Sequence, residues 1–114
     1  MKYLLLQYIN EIAMLNLPRQ EAGRMNAAYM AYTEAMKQAG VLLANHGLRP
    51  SSEARTVRAP AGKQSIVEGP YAETKEQLGG YFLVEVPDLN AALSWTARCP
   101  GAPHGAIEVR PVWA

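Results

Sequence analysis

Short apolar runs alternate along the chain with two longer segments of helical periodicity. Residues 3–9 and 80–86 are short runs rich in aromatic and aliphatic side chains, apolar at consecutive positions over 3–6 and 81–84, which favours strands buried on both faces. Residues 41–44 form a further apolar run, and residues 107–112, in which Glu108 and Arg110 alternate with apolar residues, form the last strand. The pattern therefore predicts four strands of one sheet.

The first predicted helix covers residues 19–39. Pro18 suits its first turn because the amide proton that proline lacks would be unpaired there, and Gly40 is typical of a helix end. Apolar side chains recur every three or four positions and mark one buried stripe. The members of this stripe are Met25, Ala28, Tyr29, Tyr32, Ala35, Met36 and Ala39.

The second predicted helix runs from Asp88 through Arg98. Pro87 stops the preceding strand, and the Asp88 carboxylate is a natural cap because it can accept a hydrogen bond from an unpaired backbone amide. Residues 99–101 end the helix. We expect its buried side to consist of Leu89, Ala92, Leu93 and Trp95.

The order of the elements predicts the fold class. Residues 54–59 and 64–68 flank a turn at residues 60–63 and suggest a hairpin. With it, the order strand, helix, strand, hairpin, strand, helix, strand fits an α+β sandwich of the ferredoxin-like type. Such a sheet carries helices on one face only. Because residues 3–6 and 81–84 are apolar on both faces, we expect a second copy to cover the other face in a two-fold homodimer.

Length and composition bound the classes of function. A chain of 114 residues fits a single domain spanning residues 1–114. Only 18% of the residues are charged, which fits either self-association or a compact domain with an alanine-rich helix. The scattered charges sum to +1, which argues against direct nucleic-acid binding. The apolar run at residues 2–9 is too short to span a membrane, and the lone Cys99 fits a reducing cytoplasm, where we expect the protein to be.

Residues 67–82, with the sequence VEGPYAETKEQLGGYF, hold the densest set of special residue types. Thr74 and Gln77 form the pattern of a capping box, which predicts a short helical turn over residues 75–78. Gly79 would end that turn, and Gly80 would allow close approach of another backbone as the strand begins. These four residues have a sufficient structural explanation.

The charged residues of the same segment are less well explained by structure alone. Glu68, Glu73, Lys75 and Glu76 fit an exposed ion-pair cluster, which is common on protein surfaces. They equally fit a carboxylate beside a lysine at a cavity mouth, where it would bind a ligand or transfer a proton. Both interpretations stay open for Glu73 and Lys75.

Other candidate residues are scattered. His46 lies near a strand end and titrates near neutral pH, so it is a candidate acid or base, although a surface role is commoner for such a histidine. His104 is similar. Glu108 and Arg110 alternate on the last strand, where the arginine would either bind an acidic ligand or form an ion pair. No pattern of metal ligands or of a nucleotide-binding loop is present, so we expect neither metal nor cofactor.

Residues 68–76, with the sequence EGPYAETKE, resemble the DGPF motif of the YCII-related family, in which Asp-Gly-Pro-Phe precedes the same acidic and lysine run. The likeness continues through residues 77–95 and 108–111, and it includes the chain start and the long helix. It implies a dimeric α+β barrel with a cavity between sheet and loops. Glu68 and Tyr71 replace the usual Asp and Phe, and the His–Asp pair of the shorter relatives has no matching position here.

Two hypotheses of function follow. In the first, a small dimer binds an acidic or aromatic metabolite and performs acid–base chemistry of the lyase, isomerase or dehydrohalogenase kind, as the resemblance implies for some relatives. Glu73, Lys75 and His46 are then the catalytic candidates, and the substrate-binding candidates are Glu68, Tyr71, Gly79, Gly80 and Arg110. In the second, the protein is a non-catalytic dimerisation or sensing module of a regulator such as a sigma factor.

Overall fold

The structure is a computed structural model that describes all residues from Met1 to Ala114. Three short 3-10 turns lie at Ser51–Glu53, Pro60–Gly62 and Ala102–His104. The helices and strands in chain order are β1 (Lys2–Ile9), α1 (Glu11–Leu15), α2 (Arg19–Gln38), β2 (Leu42–Gly47), β3 (Arg55–Arg58), β4 (Ser65–Glu68), β5 (Gln77–Glu85), α3 (Leu89–Ala97) and β6 (Ala106–Pro111).

The main sheet has four antiparallel strands in the order β2-β5-β1-β6. This order and the two helices α2 and α3 on one face confirm the predicted ferredoxin-like α+β fold. Strands β3 and β4 pair only with each other and form the predicted extra hairpin. The hairpin stands away from the main sheet.

The core lies between the sheet and the helices. Tyr3 and Leu5 of β1 face the same way as their partners Val84 and Phe82 on β5, and all four are buried. The ring of Tyr32 on α2 meets Phe82 edge to face, with ring centroids 5.3 Å apart. Its hydroxyl donates to the Trp95 carbonyl of α3 at 2.8 Å, so one tyrosine joins both helices to the sheet.

Both predicted helices are confirmed, with corrections to their buried faces, and Ala28 and Ala39 of the predicted stripe on α2 are exposed. Gly40 follows α2 with a positive φ of 71°, and the Asp88 carboxylate accepts a hydrogen bond from the Ala91 amide at 2.8 Å. The prediction that Leu89 and Leu93 are buried is wrong, since both are about half exposed. The other two predicted residues, Ala92 and Trp95, do pack in the core, where α3 contacts β1 and the edge strand β6.

The region before β5 differs from the sequence prediction. The expected helical turn at residues 75–78 is wrong, because Gln77 and Leu78 already pair with Ile9 and Tyr8 as the first residues of β5. Gly79 therefore ends no helix. Gly79 lies at a register shift of β5, because Gly80 pairs with Gln7 and Leu78 pairs with Tyr8, which leaves Gly79 without a partner on β1. Helix α1, capped by the Asn10 side chain, was not predicted.

The second face of the sheet is uncovered. Leu4 and Leu6 of β1 and Tyr81 and Leu83 of β5 point away from the helices and are half-buried only by their neighbours. We call this surface the open face. The molecule measures 46 × 42 × 18 Å and has a radius of gyration of 16.0 Å, against ~13 Å for a compact domain of this length.

Candidate functional site

The largest cleft lies where the Ser51–Glu53 turn meets the loop before β5. Its volume is about 710 Å³, within the usual range of roughly 300–1,000 Å³ for ligand sites. We call it the loop-side cleft. Its walls are formed by Tyr8, Leu48, Arg49, Pro50, Ser51, Glu53, Ala54, Pro70, Tyr71, Ala72, Thr74, Glu76, Gln77 and Leu78.

A hydrogen-bonded network holds the base of this cleft together. The Glu11 carboxylate of α1 accepts from the Ser51 amide at 2.8 Å and from the Ser51 hydroxyl at 2.6 Å. The Gln77 side chain accepts from the Glu11 amide at 3.1 Å and donates to the Thr74 carbonyl. Three segments that are distant in sequence are thus fixed to one another.

The cleft contains carboxylates and hydroxyl groups. Arg49 and Glu53 form an exposed ion pair at 3.0 Å. A Cβ on Gly105 would collide with the Tyr8 carbonyl oxygen and would be in ordinary contact, at 3.5 Å, with Glu76 Oε2, so Glu76 lies beside Gly105. The Tyr8 hydroxyl donates to Glu108 at 3.5 Å and connects the cleft to the open face.

Not all residues of the predicted motif reach the cleft. Tyr71 lines it with its ring 76% exposed, and the Arg58 guanidinium stacks 5.0 Å from the ring centroid. Glu68 lies at the end of the hairpin, 3.9 Å from Arg55. Glu73 lines an adjoining hollow that also includes Glu11 and Ser51. Lys75 is exposed and makes no ion pair.

His46 and Arg110 belong to the open face. The His46 ring lies 5.8 Å from the Tyr81 ring, its cross-strand neighbour. Arg110 lies 3.9 Å from Glu108, two residues away on β6. His46, Glu108 and Arg110 are exposed. The surface on which they lie adjoins the loop-side cleft at Tyr8.

Gly79 and Gly80 do not line the loop-side cleft, which lies across the sheet from them. They line a smaller cavity beneath α2, here called the helix-side cavity. A Cβ on Gly80 would lie only 2.8 Å from the His46 carbonyl oxygen, which confirms the predicted close backbone approach. A Cβ on Gly79 would collide with the Ile9 side chain at 2.7 Å.

Sequence reasoning missed Glu11, Ser51 and Glu53 as residues of this region. The only local signal was Asn10 before Glu11, which is a helix-start pattern and says nothing about a cleft. Their meeting with residues 70–78 is a consequence of the tertiary fold. No group of three or more His, Cys, Asp and Glu side chains is close enough to hold a metal ion, and no helix is long and apolar enough to cross a bilayer.

Fold and site together define a class: ferredoxin-like α+β proteins with an open sheet face and a cleft at the sheet end. The sequence model of the YCII-related domain matches residues 1–114. The chain therefore belongs to the YCII-related family, as its DGPF-like motif indicated.

One sequence relative and one solved structure are similar to this chain. An uncharacterized protein of Rhizobium meliloti (strain 1021) is 33% identical over 114 residues, covering 98% of this chain and 92% of the relative. A similar solved structure is TftG of Burkholderia phenoliruptrix AC1100, a 5-chloro-2-hydroxyhydroquinone dehydrochlorinase in complex with 2,5-dihydroxybenzoquinone. Its TM-score is 0.58 at 16% identity, over 99% of this chain and 94% of that chain, which supports the shared fold.

Proposed function

We propose that the protein binds a small aromatic or acidic metabolite in the loop-side cleft and performs acid–base chemistry on it without a cofactor. The observation that carries the proposal is a cleft of about 710 Å³ whose lining includes Glu76 together with Tyr8, Ser51 and Thr74. A carboxylate can take a proton from a bound ligand. Tyr71 supplies an aromatic wall.

Glu76 is the preferred acid–base residue in this proposal because it lines the cleft. Glu73 is the alternative, since it lines the adjoining hollow beside Glu11. TftG is a dehydrochlorinase, so elimination is the first reaction class to test here. In such a step the carboxylate removes a proton from carbon, and the electron pair left behind expels the leaving group.

The protein also acts as a homodimer in this proposal, joined through the open face. Leu4, Leu6, Tyr81 and Leu83 offer an apolar surface that a second copy would remove from water. Glu108 and Arg110 lie beside this surface. Two-fold symmetry would let each of these charges meet its opposite on the second copy.

A screen of aromatic acids, hydroquinones and quinones by thermal shift tests the proposal, because a ligand of the folded state raises the melting temperature. We expect hits whose affinity falls at least tenfold in Tyr71→Ala, and whose turnover, but not affinity, falls in Glu76→Gln. Glu73→Gln is the competing variant, and Lys75→Met is the exposed control. If no compound binds or every hit binds Tyr71→Ala as it binds the wild type, the cleft is not the site. Capture of a sigma factor together with an empty screen would favour the regulatory alternative.

A further inference from the structure

The helix-side cavity lies on the face of the sheet opposite the loop-side cleft and has a volume of about 310 Å³. Glycines create it. In the strand register Gln7 of β1 pairs with Gly80 of β5, and Gly80 pairs with Gly47 of β2. Because neither glycine has a side chain, a gap of about two strand spacings, roughly 9.6 Å, opens beside Gln7. A gap of this width accommodates one aromatic ring.

The chemistry of this cavity is polar but uncharged. Asn45 lies on the same face of β2 as Gly47 and makes no side-chain hydrogen bond, although it is half-buried. Apolar wall is supplied by Ile9, Met14 and Phe82. Among the lining residues only His46 can carry a charge, and its side chain is turned to Tyr81 on the open face.

Gln7 presents its donors to the cavity. The Tyr29 hydroxyl donates to Gln7 Oε1 at 2.7 Å, and the Cys99 thiol lies 3.8 Å from the same oxygen. The carbonyl side of the amide is therefore occupied, while its NH₂ group makes no hydrogen bond within the protein. Burial raises the pKa of Tyr29, so this hydroxyl keeps its proton and holds Gln7 in that orientation.

Gly101 makes this orientation possible. A Cβ at position 101 would collide with the Tyr29 hydroxyl, so only glycine lets the ring reach Gln7. Gln7 is 9% exposed, and no buried side-chain nitrogen or oxygen in the protein lacks a hydrogen-bond partner, so the NH₂ group of Gln7 is accessible from the cavity. This donor is therefore open to a ligand that accepts a hydrogen bond.

We propose that the helix-side cavity is a second binding site, for an uncharged single-ring molecule with a carboxamide group. The ligand carbonyl accepts from the Gln7 NH₂, and the carboxamide as a whole complements Asn45, which offers a donor and an acceptor. The ring packs between Ile9, Met14 and Phe82. A carboxylate would lose its hydration here without a counter-charge, so the site discriminates against acids.

The test uses the full-length ¹⁵N-labelled protein with benzamide as the probe and benzoate as its charged analogue, both at millimolar concentration. We expect benzamide to shift the side-chain amide resonances of Gln7 and Asn45 and the backbone resonances of Gly47, Gly79 and Gly80. Benzoate should bind at least tenfold more weakly. Equal binding of the two probes, or shifts confined to the loop-side cleft, would overturn the proposal.

Matched variants complete the experiment. Asn45→Leu should weaken benzamide binding at least tenfold, whereas Asn90→Leu, the same change at an exposed position of α3, should leave it unchanged. Gly47→Leu places a side chain in the cavity and should abolish binding, and the Cβ of this side chain would have no atom within 4 Å. Tyr71→Ala separates this site from the loop-side cleft, because it should leave benzamide binding unaltered. Wild-type affinity in Asn45→Leu would contradict the assignment.

Discussion

At the residue scale, a buried polar cluster of Gln7, Tyr29 and Cys99 connects β1, α2 and the segment after α3. Tyr29→Phe removes the hydroxyl that donates to Gln7. We expect the free energy of unfolding to fall by about 1 kcal/mol, the usual net value of such a hydrogen bond. Urea denaturation measures it. Tyr71→Phe is the control because the Tyr71 hydroxyl makes no hydrogen bond within the protein, and an equal loss in both variants would contradict the role of the cluster.

The same cluster makes stability depend on alkaline pH. Burial raises the pKa of the Cys99 thiol above its ordinary value of about 8.5, so the folded state keeps this proton longer than the unfolded state does. The resulting stability is fully present below about pH 8.5 and is lost as the pH rises through the raised value. Burial also raises the pKa values of Tyr29 and Tyr32. Ionisation of these two residues lowers the free energy of unfolding further from about pH 10 upward.

Cys99→Ala isolates the thiol. In this variant the free energy of unfolding should stay level between about pH 8.5 and pH 10, where the wild type loses at most about 1.4 kcal/mol per pH unit. Urea denaturation at a series of pH values measures both curves. Parallel curves would show that Cys99 is not the group responsible, whatever the overall stability of the variant.

Single residues also show how far the sequence could predict the candidate site. Tyr71 was expected as a wall and lines the loop-side cleft, because it follows the end of the predicted hairpin strand at Glu68 by only three residues. Glu11 and Ser51 could not be predicted, since their hydrogen bonds join residues that are 40 positions apart. Gly80 was expected beside the substrate cleft but lines the opposite cavity, because the face to which a strand residue points depends on the register.

At the element scale, the hydrogen bond from the Ala91 amide to Asp88 fixes the start of α3. Asp88→Ala should lower the free energy of unfolding by about 1 kcal/mol, and Asp88→Asn should lose much less because asparagine is an equally good cap. Urea denaturation of the three proteins decides this. If the asparagine variant is as unstable as the alanine variant, the effect comes from the lost charge and not from the cap.

Helix α1 and the Ser51–Glu53 turn act as one unit through Glu11. Glu11→Ala removes two hydrogen bonds to a carboxylate, and we expect backbone amide exchange at residues 51–54 to accelerate at least tenfold, because about 1.4 kcal/mol of local stability is lost. Hydrogen exchange read by NMR measures this. Glu34→Ala on α2 is the control and should leave these amides unchanged. Unaltered exchange in Glu11→Ala would mean that the turn is held by other contacts.

The helices also show which local sequence signals were sufficient to predict an element. Helices α2 and α3 were predicted because proline, glycine and aspartate mark their ends and the apolar period marks their length. Helix α1 is only five residues long, too short for a period to be visible. The Thr74 and Gln77 pattern predicted a helical turn, but pairing of Gln77 with Ile9 of β1 prevailed over the local preference.

At the scale of the whole molecule, the single chain has only two layers and is 18 Å thick. The order of strands and helices was predictable from the sequence because each strand and long helix carries its own periodic signal. The candidate site was less predictable, since it forms where three segments that are distant in sequence meet. Consecutive apolar positions in β1 and β5 did predict that both faces of the sheet need cover, and the structure leaves one of them open.

The open face carries the last prediction, that two copies associate through it. Leu83 lies at its centre, next to Leu4 and Ala44 on the neighbouring strands. Leu83→Asp would bury a carboxylate in the interface, and we expect the dimer to weaken by more than about 2 kcal/mol, roughly 30-fold in the dissociation constant. Sedimentation velocity at micromolar concentration measures this. Leu93→Asp makes the same change on the exposed side of α3 and should remain dimeric, because helix α3 lies on the covered face of the sheet. A wild-type protein that sediments as a monomer, or a Leu83→Asp variant that stays dimeric, would mean that the open face is not the surface through which two copies meet.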